Sequence, residues 1–240
     1  MATYNGERFI REQLESILSQ FPVECAGEKR DAEIIIADDG STDKTLSVIE
    51  SLHDRRIRVL PPGEHLGVIY NFERALREAK GEFVFLADQD DVWLPGKVSK
   101  VLENLESADL VLHDAYMLYE SSGMAENPAW TRGGLLSSIR PYRSGVVANW
   151  WKNTFTGCCM AFRRKVLDRA LPFPEKLPMH DQWLGLVAER YFKVAYLPEP
   201  LTEYRQHSSN ATRIEKSPAG VLQKIKWRLD LAKALSSSCP

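Results

Sequence analysis

Two short acidic runs carry most of the chemistry this sequence offers, Asp38-Asp39-Gly40-Ser41 and Asp88-Gln89-Asp90-Asp91. Two carboxylates separated by one residue in an extended turn can face the same side. They then offer hard oxygen ligands to Mg²⁺ or Mn²⁺ and leave other positions for phosphate oxygens and water. An ion held there would neutralise charge building on a departing diphosphate. An isolated Asp-x-Asp more often caps the next helix or solvates a loop. The balance changes when a second acidic run ends another predicted strand, because strands of one sheet bring their ends to a common edge.

The elements that must position these acids can be read from periodicity. Phe9, Ile10, Leu14, Ile17 and Leu18 fall on one face of a helix predicted over residues 7–20. Glu33 to Asp38 is a short apolar run ending in acid, the pattern of a strand buried on both faces and hence parallel. Ser41 or Thr42 is then expected to cap a helix carrying Leu46, Ile49 and Leu52, and Ile57 to Leu60 reads as the next strand. A helix with Ile69, Phe72, Leu76 and Ala79 follows, with Gly81 as its expected stop. Glu82 to Ala87 is the fourth strand and runs into the second acidic run. Pro95 opens a further helix. This is a βαβ rhythm with carboxylates at the C-terminal ends of two strands, where open α/β sheets bind ligands.

The second half is less regular. Leu110 to Leu112 and Tyr116 to Tyr119 read as strands, and residues 121–151 as a long loop. Cys158 to Phe162 reads as a strand, Arg163 to Leu171 and Asp181 to Tyr191 as helices, and Val194 to Leu197 and Leu201 to Arg205 as closing strands.

The bulk composition describes an ordinary globular protein of 240 residues, with 44% hydrophobic and 27% charged residues and a formal charge of -2, and predicts no nucleic-acid partner. The four cysteines, Cys25, Cys158, Cys159 and Cys239, form neither a C-x-x-C zinc pattern nor a disulfide scaffold, which points to a reducing, cytoplasmic compartment. The adjacent pair is expected to be core packing. No apolar run reaches the roughly 18–20 residues a bilayer span needs, and no signal sequence is evident. The expectation is a protein that is neither membrane-spanning nor exported. Residues 218–235 combine Val221, Leu222, Ile225 and Leu229 with Lys224, Lys226, Arg228 and Lys233. Such a basic amphipathic helix suits either packing on the domain or peripheral contact with the inner face of an anionic membrane.

The motifs in order resemble family 2 glycosyltransferases of the GT-A fold, with a mostly parallel Rossmann-like sheet flanked by helices. The matching stretches are residues 2–6 (Ala-Thr-Tyr-Asn-Gly), 37–43 (Ala-Asp-Asp-Gly-Ser-Thr-Asp) and 86–95 (Leu-Ala-Asp-Gln-Asp-Asp-Val-Trp-Leu-Pro). Further on, His180-Asp181-Gln182-Trp183 and Tyr204-Arg205-Gln206-His207 resemble elements of bacterial rhamnosyltransferase-like members. The likeness covers about residues 1–210 and leaves 211–240 as a helical tail.

The resemblance implies roles for individual residues. Thr3, Tyr4 and Asn5 would line the nucleotide pocket and Asp39 would bind the base, with Asp38 either sharing that role or supporting its loop. Asp90 would be the principal metal ligand, with Asp88 on the ribose or a metal-bound water and Asp91 orienting the turn. His207 is a further candidate ligand for the metal or the diphosphate. Arg205 would either contact the diphosphate or pair with a structural acid. Gly157 and Trp183 would meet the acceptor, and Trp130, Trp150 and Trp151 are further candidates for stacking on sugar. Asp181, in the first turn of a helix whose dipole favours the anion, is the candidate base for the acceptor hydroxyl, and a single displacement would invert the anomeric centre.

The implied function is metal-dependent transfer, with Mg²⁺ or Mn²⁺, from a dTDP- or UDP-linked sugar to a saccharide or lipid-linked saccharide in cell-surface polysaccharide synthesis. Rhamnose is the first candidate sugar. The sequence lacks the Q-x-x-R-W run of processive synthases, so one sugar is expected per encounter. It also lacks the apolar strand that normally precedes the Thr-Tyr-Asn segment, so the first strand of the sheet is expected to be missing. The competing classes are a nucleotide-sugar-binding module without turnover and a nucleotidyltransferase. The latter usually needs a Gly-rich phosphate loop that is not found here.

Overall fold

The computed structural model describes residues 1–25, 27–120, 130–207, 210 and 220–237, the side chains of Cys25 and Ser237 excepted. A two-residue strand, Ala2–Thr3 (β1), leads into helix α1 (Ile10–Leu18) and a small hairpin of β2 (Val23–Cys25) and β3 (Glu28–Arg30). Strand β4 (Ile34–Asp38) follows, buried along its whole length, then α2 (Thr45–Glu50), β5 (Ile57–Val59) and α3 (Gly67–Glu78). Strands β1 and β5 both pair with β4 in parallel, giving a three-stranded sheet in the order β1-β4-β5.

The remaining elements form a second sheet. After β6 (Phe83–Phe85), β7 (Val92–Trp93) and α4 (Lys97–Leu105), a long strand β8 (Leu110–Glu120) is flanked by β9 (Trp130–Leu135). Short helices α5 (Leu136–Ile139) and α6 (Val146–Trp151) lead to a 3-10 turn at Gly157–Cys159 and β10 (Met160–Arg163). A 3-10 turn at Arg164–Val166 runs into α7 (Leu167–Ala170), and α8 (His180–Tyr191), β11 (Val194–Gln206) and α9 (Val221–Ser237) complete the order. The strands run β6-β10-β8-β11-β7, with β9 beside β8. Only the β8–β11 pair is parallel, so the mostly parallel expectation holds for the first sheet and not for the second.

Several expectations change for local physical reasons. At the position of the first strand only the pair Ala2–Thr3 is found, in register with Ala37 and Asp38. Asp114 joins the two short strands expected around it into one. Its carboxylate accepts the Ala115 and Ser137 amides and the Ser137 hydroxyl, so an acid can sit buried in mid-strand. The two closing strands are likewise one, with register shifts on either side of Pro200 where proline cannot keep the ladder. Part of the expected loop over 121–151 is β9, α5 and α6; residues 121–129 lie outside the described residues. Asp43, not Ser41 or Thr42, receives the Thr45 amide at the start of α2. Helix α3 ends at Glu78, and the Gly81 amide donates to Glu33.

Two apolar clusters cover the faces of this layer. Ile10, Leu14, Ile17, Val98, Val101 and Leu102 pack from α1 and α4 on one side. Phe72, Leu76, Leu184 and Val187 pack from α3 and α8 on the other. Helix α9 docks through buried Leu231 and Leu235, and its Arg228 carbonyl accepts the Trp150 indole N–H at 2.8 Å.

Candidate active site

The C-terminal ends of β4 and β6 open into a cleft of about 1970 Å³. Of the residues expected to act, Thr3, Tyr4, Asp39, Asp88, Asp90, Gly157, Asp181 and His207 line it. Segments more than a hundred residues apart in sequence thus border one cleft. Asn5, Asp38, Arg205 and Trp183 do not line it.

The turn after β4 is built from hydrogen bonds. Asp38 accepts the Thr3 hydroxyl at 2.9 Å, the Gly40 and Ser41 amides at 3.1 and 2.8 Å, and the Ser41 hydroxyl at 2.6 Å. These contacts are those of the loop-supporting role, one of the two expected of it. Asp39 accepts the Leu66 and Gly67 amides at 2.8 and 2.9 Å, so it fixes the N-terminus of α3 while lining the cleft. Asn5 takes the Thr42 amide at 2.8 Å and holds the same loop from outside the cleft. His65, which the sequence did not single out, contacts Asp39 at 3.0 Å, and its ring lies 5.0 Å from that of Tyr4.

The turn after β6 is different. Burial, then the charges of Asp90 and Asp181, push the Asp88 carboxyl up to about 7, and burial with Asp90 and Asp88 pushes Asp91 well above the usual range. Asp91 is fully buried. One oxygen accepts the Arg205 amide at 3.0 Å, and the other has no hydrogen-bond donor at bonding geometry. Asp90 faces the cleft, and one of its oxygens meets His207 Nε2 at 2.9 Å and the Asn210 amide group at 3.2 Å. Beneath this turn lies the buried Lys97, which donates to the Cys158 carbonyl and the Thr202 hydroxyl, both at 2.8 Å. Burial lowers it to about 8 despite the nearby thiols and acids. Cys158 and Cys159 are buried, free thiols.

Arg205 serves the acids from behind. Its guanidinium is buried, donates to the Asp90 carbonyl at 3.3 Å and to Glu12 at 2.5 Å, and lies over the rings of Phe9 and Trp130. Of the two roles expected of it, the contacts present are those with an acid, Glu12, and with the Asp90 backbone. Trp183 lies away from the cleft. It is buried in the core with its indole N–H on the Ala170 carbonyl, whereas Trp150 and Trp151 do line the cleft.

Gln89 couples the two turns. Its side-chain oxygen accepts the Tyr4 amide at 2.9 Å, and its amide nitrogen donates to the Tyr4 carbonyl at 3.0 Å. A Cβ on Gly6 would come within 2.3 Å of that side chain. On the far wall Asp181, at the start of α8, accepts the Asn153 side chain at 3.0 Å and the Gln182 amide at 2.5 Å. Gly157 faces His180, whose Nε2 would lie 3.2 Å from an added Cβ. Gln89, Lys97 and Asn153 escape sequence reading because their roles depend on partners distant in the chain.

The donor set fits a hard divalent cation. Asp88, Asp90 and His207 present carboxylate oxygens and an imidazole nitrogen to the cleft, and burial followed by the charges of Asp90 and Asp181 raises the Asp88 carboxyl. Among the described residues, Asp88, Asp91 and Cys158 also bring ligand atoms within 4.8 Å of one another.

Residues 1–171 match the family model described as glycosyl transferase family 2. The chain belongs to that family. The dTDP-rhamnosyl transferase RfbG of Shigella flexneri is 27% identical over 226 residues, covering 88% of this chain and 72% of RfbG. Several other curated relatives, among them an uncharacterised glycosyltransferase of Nostoc, are matched over 57–64% of their length, so the chain spans about three fifths of those proteins. Among solved structures, Staphylococcus aureus TarS 1-349 in complex with UDP-GlcNAc superposes with a TM-score of 0.72 at 19% identity, covering 100% of this chain and 66% of TarS. The mannosyltransferase PcManGT of Pyrobaculum calidifontis, in complex with GDP-Man and Mn²⁺, gives 0.61 at 18% identity, with 99% and 73% covered. At these identities the likeness establishes the GT-A fold of this family 2 chain.

Proposed function

We propose that this family 2 chain transfers a sugar from a nucleotide-diphosphate donor to a hydroxyl of a saccharide acceptor, with inversion and one sugar per encounter. The observation that carries the reading is the convergence of Asp39, Asp90 and Asp181 on one cleft. Thr3, Tyr4 and Asp39 bind the nucleoside end. Asp90, Asp88 and His207 hold Mg²⁺ or Mn²⁺, which when bound offsets charge on the leaving diphosphate. Asp181, oriented by Asn153 and the Gln182 amide, accepts the acceptor hydroxyl's proton as that oxygen attacks the anomeric carbon. Gly157, Trp150 and Trp151 form the acceptor side of the cleft.

A dTDP- or UDP-linked donor is favoured by the rhamnosyl transferase relative and the UDP-GlcNAc-bound neighbour, with rhamnose the first sugar to test. The acceptor in this reading is a growing cell-surface polysaccharide, free or lipid-linked. No helix among the described residues is long and apolar enough to cross a membrane. Helix α9 leaves Val221, Leu222, Ile225 and Leu229 exposed beside Lys224 and Arg228 at the cleft rim, which supports peripheral contact with an anionic membrane where a lipid-linked acceptor would lie.

The test is a thermal-shift screen of nucleotide sugars with and without Mn²⁺, followed by a transfer assay with the best donor. Stabilisation by a dTDP- or UDP-sugar that requires Mn²⁺, followed by sugar transfer, is the expected result. Metal-dependent binding without transfer to any saccharide would favour a nucleotide-sugar-binding module. Indifference to every nucleotide sugar would end the proposal.

A further inference from the structure

The cleft holds cations as well as acids. Lys152, Lys224 and Arg228 line it together with Trp150, Trp151 and Trp227, in a chain whose formal charge is -2. Hydrogen bonds fix where they stand. The Asn149 carbonyl accepts the Gln182 side chain at 2.8 Å, and the Asn153 side chain donates to Asp181 at 3.0 Å, so residues 149–153 are pinned to the start of α8. The Trp151 carbonyl accepts Nε and Nη2 of Arg228 at 3.2 and 2.9 Å, and the Arg228 guanidinium lies over the Trp151 ring. Lys152 therefore lies between a residue bonded to α9 and the residue whose side chain holds Asp181. On α9, Lys224, Trp227, Arg228 and Leu231 are spaced at i, i+3, i+4 and i+7, share one helix face, and all line the cleft. Asp230, the one acid of α9, does not. Neither the Lys152 nor the Lys224 ammonium bonds or pairs with any described residue.

We propose that the acceptor carries a phosphate group and that Lys152 and Lys224, with Arg228, bind it. The inference rests on the reading of the cleft as a transferase site with Asp181 as its base, and it names the chemistry of the acceptor. In that reading Asp39, Asp88 and Asp90 serve the donor and its metal at the ends of β4 and β6. The cations instead adjoin the segment that holds Asp181, where the attacking hydroxyl must stand. A phosphate carries about -1.5 to -2 charge at neutral pH and several acceptor oxygens, which suits ammonium groups from two separate elements better than a single carboxylate does. The tryptophans interleaved with these cations offer faces on which sugar rings stack, so saccharide and phosphate are met by neighbouring residues. A lipid-linked saccharide and a phosphodiester polymer both present this group.

The test titrates N-acetylglucosamine 1-phosphate, N-acetylglucosamine, glucuronate and the undecyl ester of N-acetylglucosamine diphosphate into the full chain in EDTA, without donor. The sugar phosphate is expected to bind about tenfold more tightly than the neutral sugar or glucuronate, an advantage that shrinks at high salt. The double variant Lys152→Ala/Lys224→Ala should lose most of that advantage. Lys226→Ala, exposed on α9 and off the cleft, should keep it. An undecyl ester that binds more tightly than the sugar phosphate assigns the group to a lipid-linked acceptor, and one that binds no more tightly assigns it to a phosphodiester polymer. Equal binding of the phosphate and the neutral sugar, equal binding of the phosphate and glucuronate, or an unchanged double variant would overturn the proposal. So would displacement of the sugar phosphate by UDP or dTDP in Mn²⁺, which would put the anion in the donor's place. Because binding is read without donor, a chain that takes the phosphate through these lysines and transfers no sugar would count against the proposed transfer alone.

Discussion

The two acidic turns at the cleft use the same residue type to opposite ends. After β4, Asp38 and Asp39 together receive four backbone amides and two hydroxyls, and the carboxylates serve as the scaffold of their own loop. After β6, Asp88 and Asp91 are crowded by burial and by each other, and donors are few. Hydrogen bonds settle the charge of the first turn within the protein. In the second, burial comes first in holding the carboxyls of Asp88 and Asp91 above the usual range, and Lys97 and Arg205 brace the turn from below and behind. Acids that are fully hydrogen-bonded build their own loop, and buried acids with few donors are pushed toward the protonated form.

That contrast can be broken most sharply at Asp90 and Asp181. Asp90→Ala is expected to abolish Mn²⁺-dependent donor stabilisation and to lower transfer by about 10³-fold. Asp181→Ala should leave donor binding intact and lower kcat by roughly 10²–10⁴-fold, as loss of a general base does. Transfer by Asp181→Ala at the parental rate would remove the base assignment.

Asp38→Ala tests the opposite case. With the Thr3 hydroxyl and two loop amides left without an acceptor, stability should fall by about 2–4 kcal/mol in denaturant titration. A variant as stable as the parent would show that this turn does not depend on its carboxylates.

A smaller effect separates the turns by pH. In EDTA, folded Asp88 holds its proton to about pH 7, whereas an unperturbed carboxyl releases it near 3.8. The folded state therefore binds more protons between those values, and this contribution to stability, complete below the unfolded value, is lost as pH rises through 7. Asp90 and Asp181 reinforce the shift and the Met1 ammonium opposes it. The comparison is the difference between parent and Asp88→Asn melting temperatures at pH 5 and pH 8, with the variant gaining on the parent at the higher pH. The same gain at both values would show that Asp88 carries no such shift. Least costly should be Gln89→Ala, which cuts the link between the turns and is expected to raise the donor KM a few-fold with little change in kcat.

Much of the fold was legible because its signals are local. The helices around Leu14, Phe72 and Val101 follow apolar spacing, and β4 and β6 follow short apolar runs that stop at acids. What sequence reading missed depended on distant partners. Asp114 could be a mid-strand residue only because Ser137 closes on it, and β6 pairs antiparallel with β10 rather than beside β4. Arg205 looked like a phosphate ligand by its charge and fork, and its burial under Phe9, Trp130 and Glu12 was visible only in the packed structure. Trp183 likewise looked like a sugar platform and is a core residue of α8.

By itself the amino-acid order determined that carboxylates stand at the ends of two buried strands and that one more opens a later helix, because strand and helix periods are written in neighbouring residues. Which acid of each pair faces the cleft was decided only by tertiary structure. Asp38 is claimed by Thr3, Asp39 by the amides that open α3, and Asp91 by the Arg205 backbone. A carboxylate's role here is set by the donors that reach it, and beside the local Gly40 and Ser41 those donors lie 27 to 114 residues away.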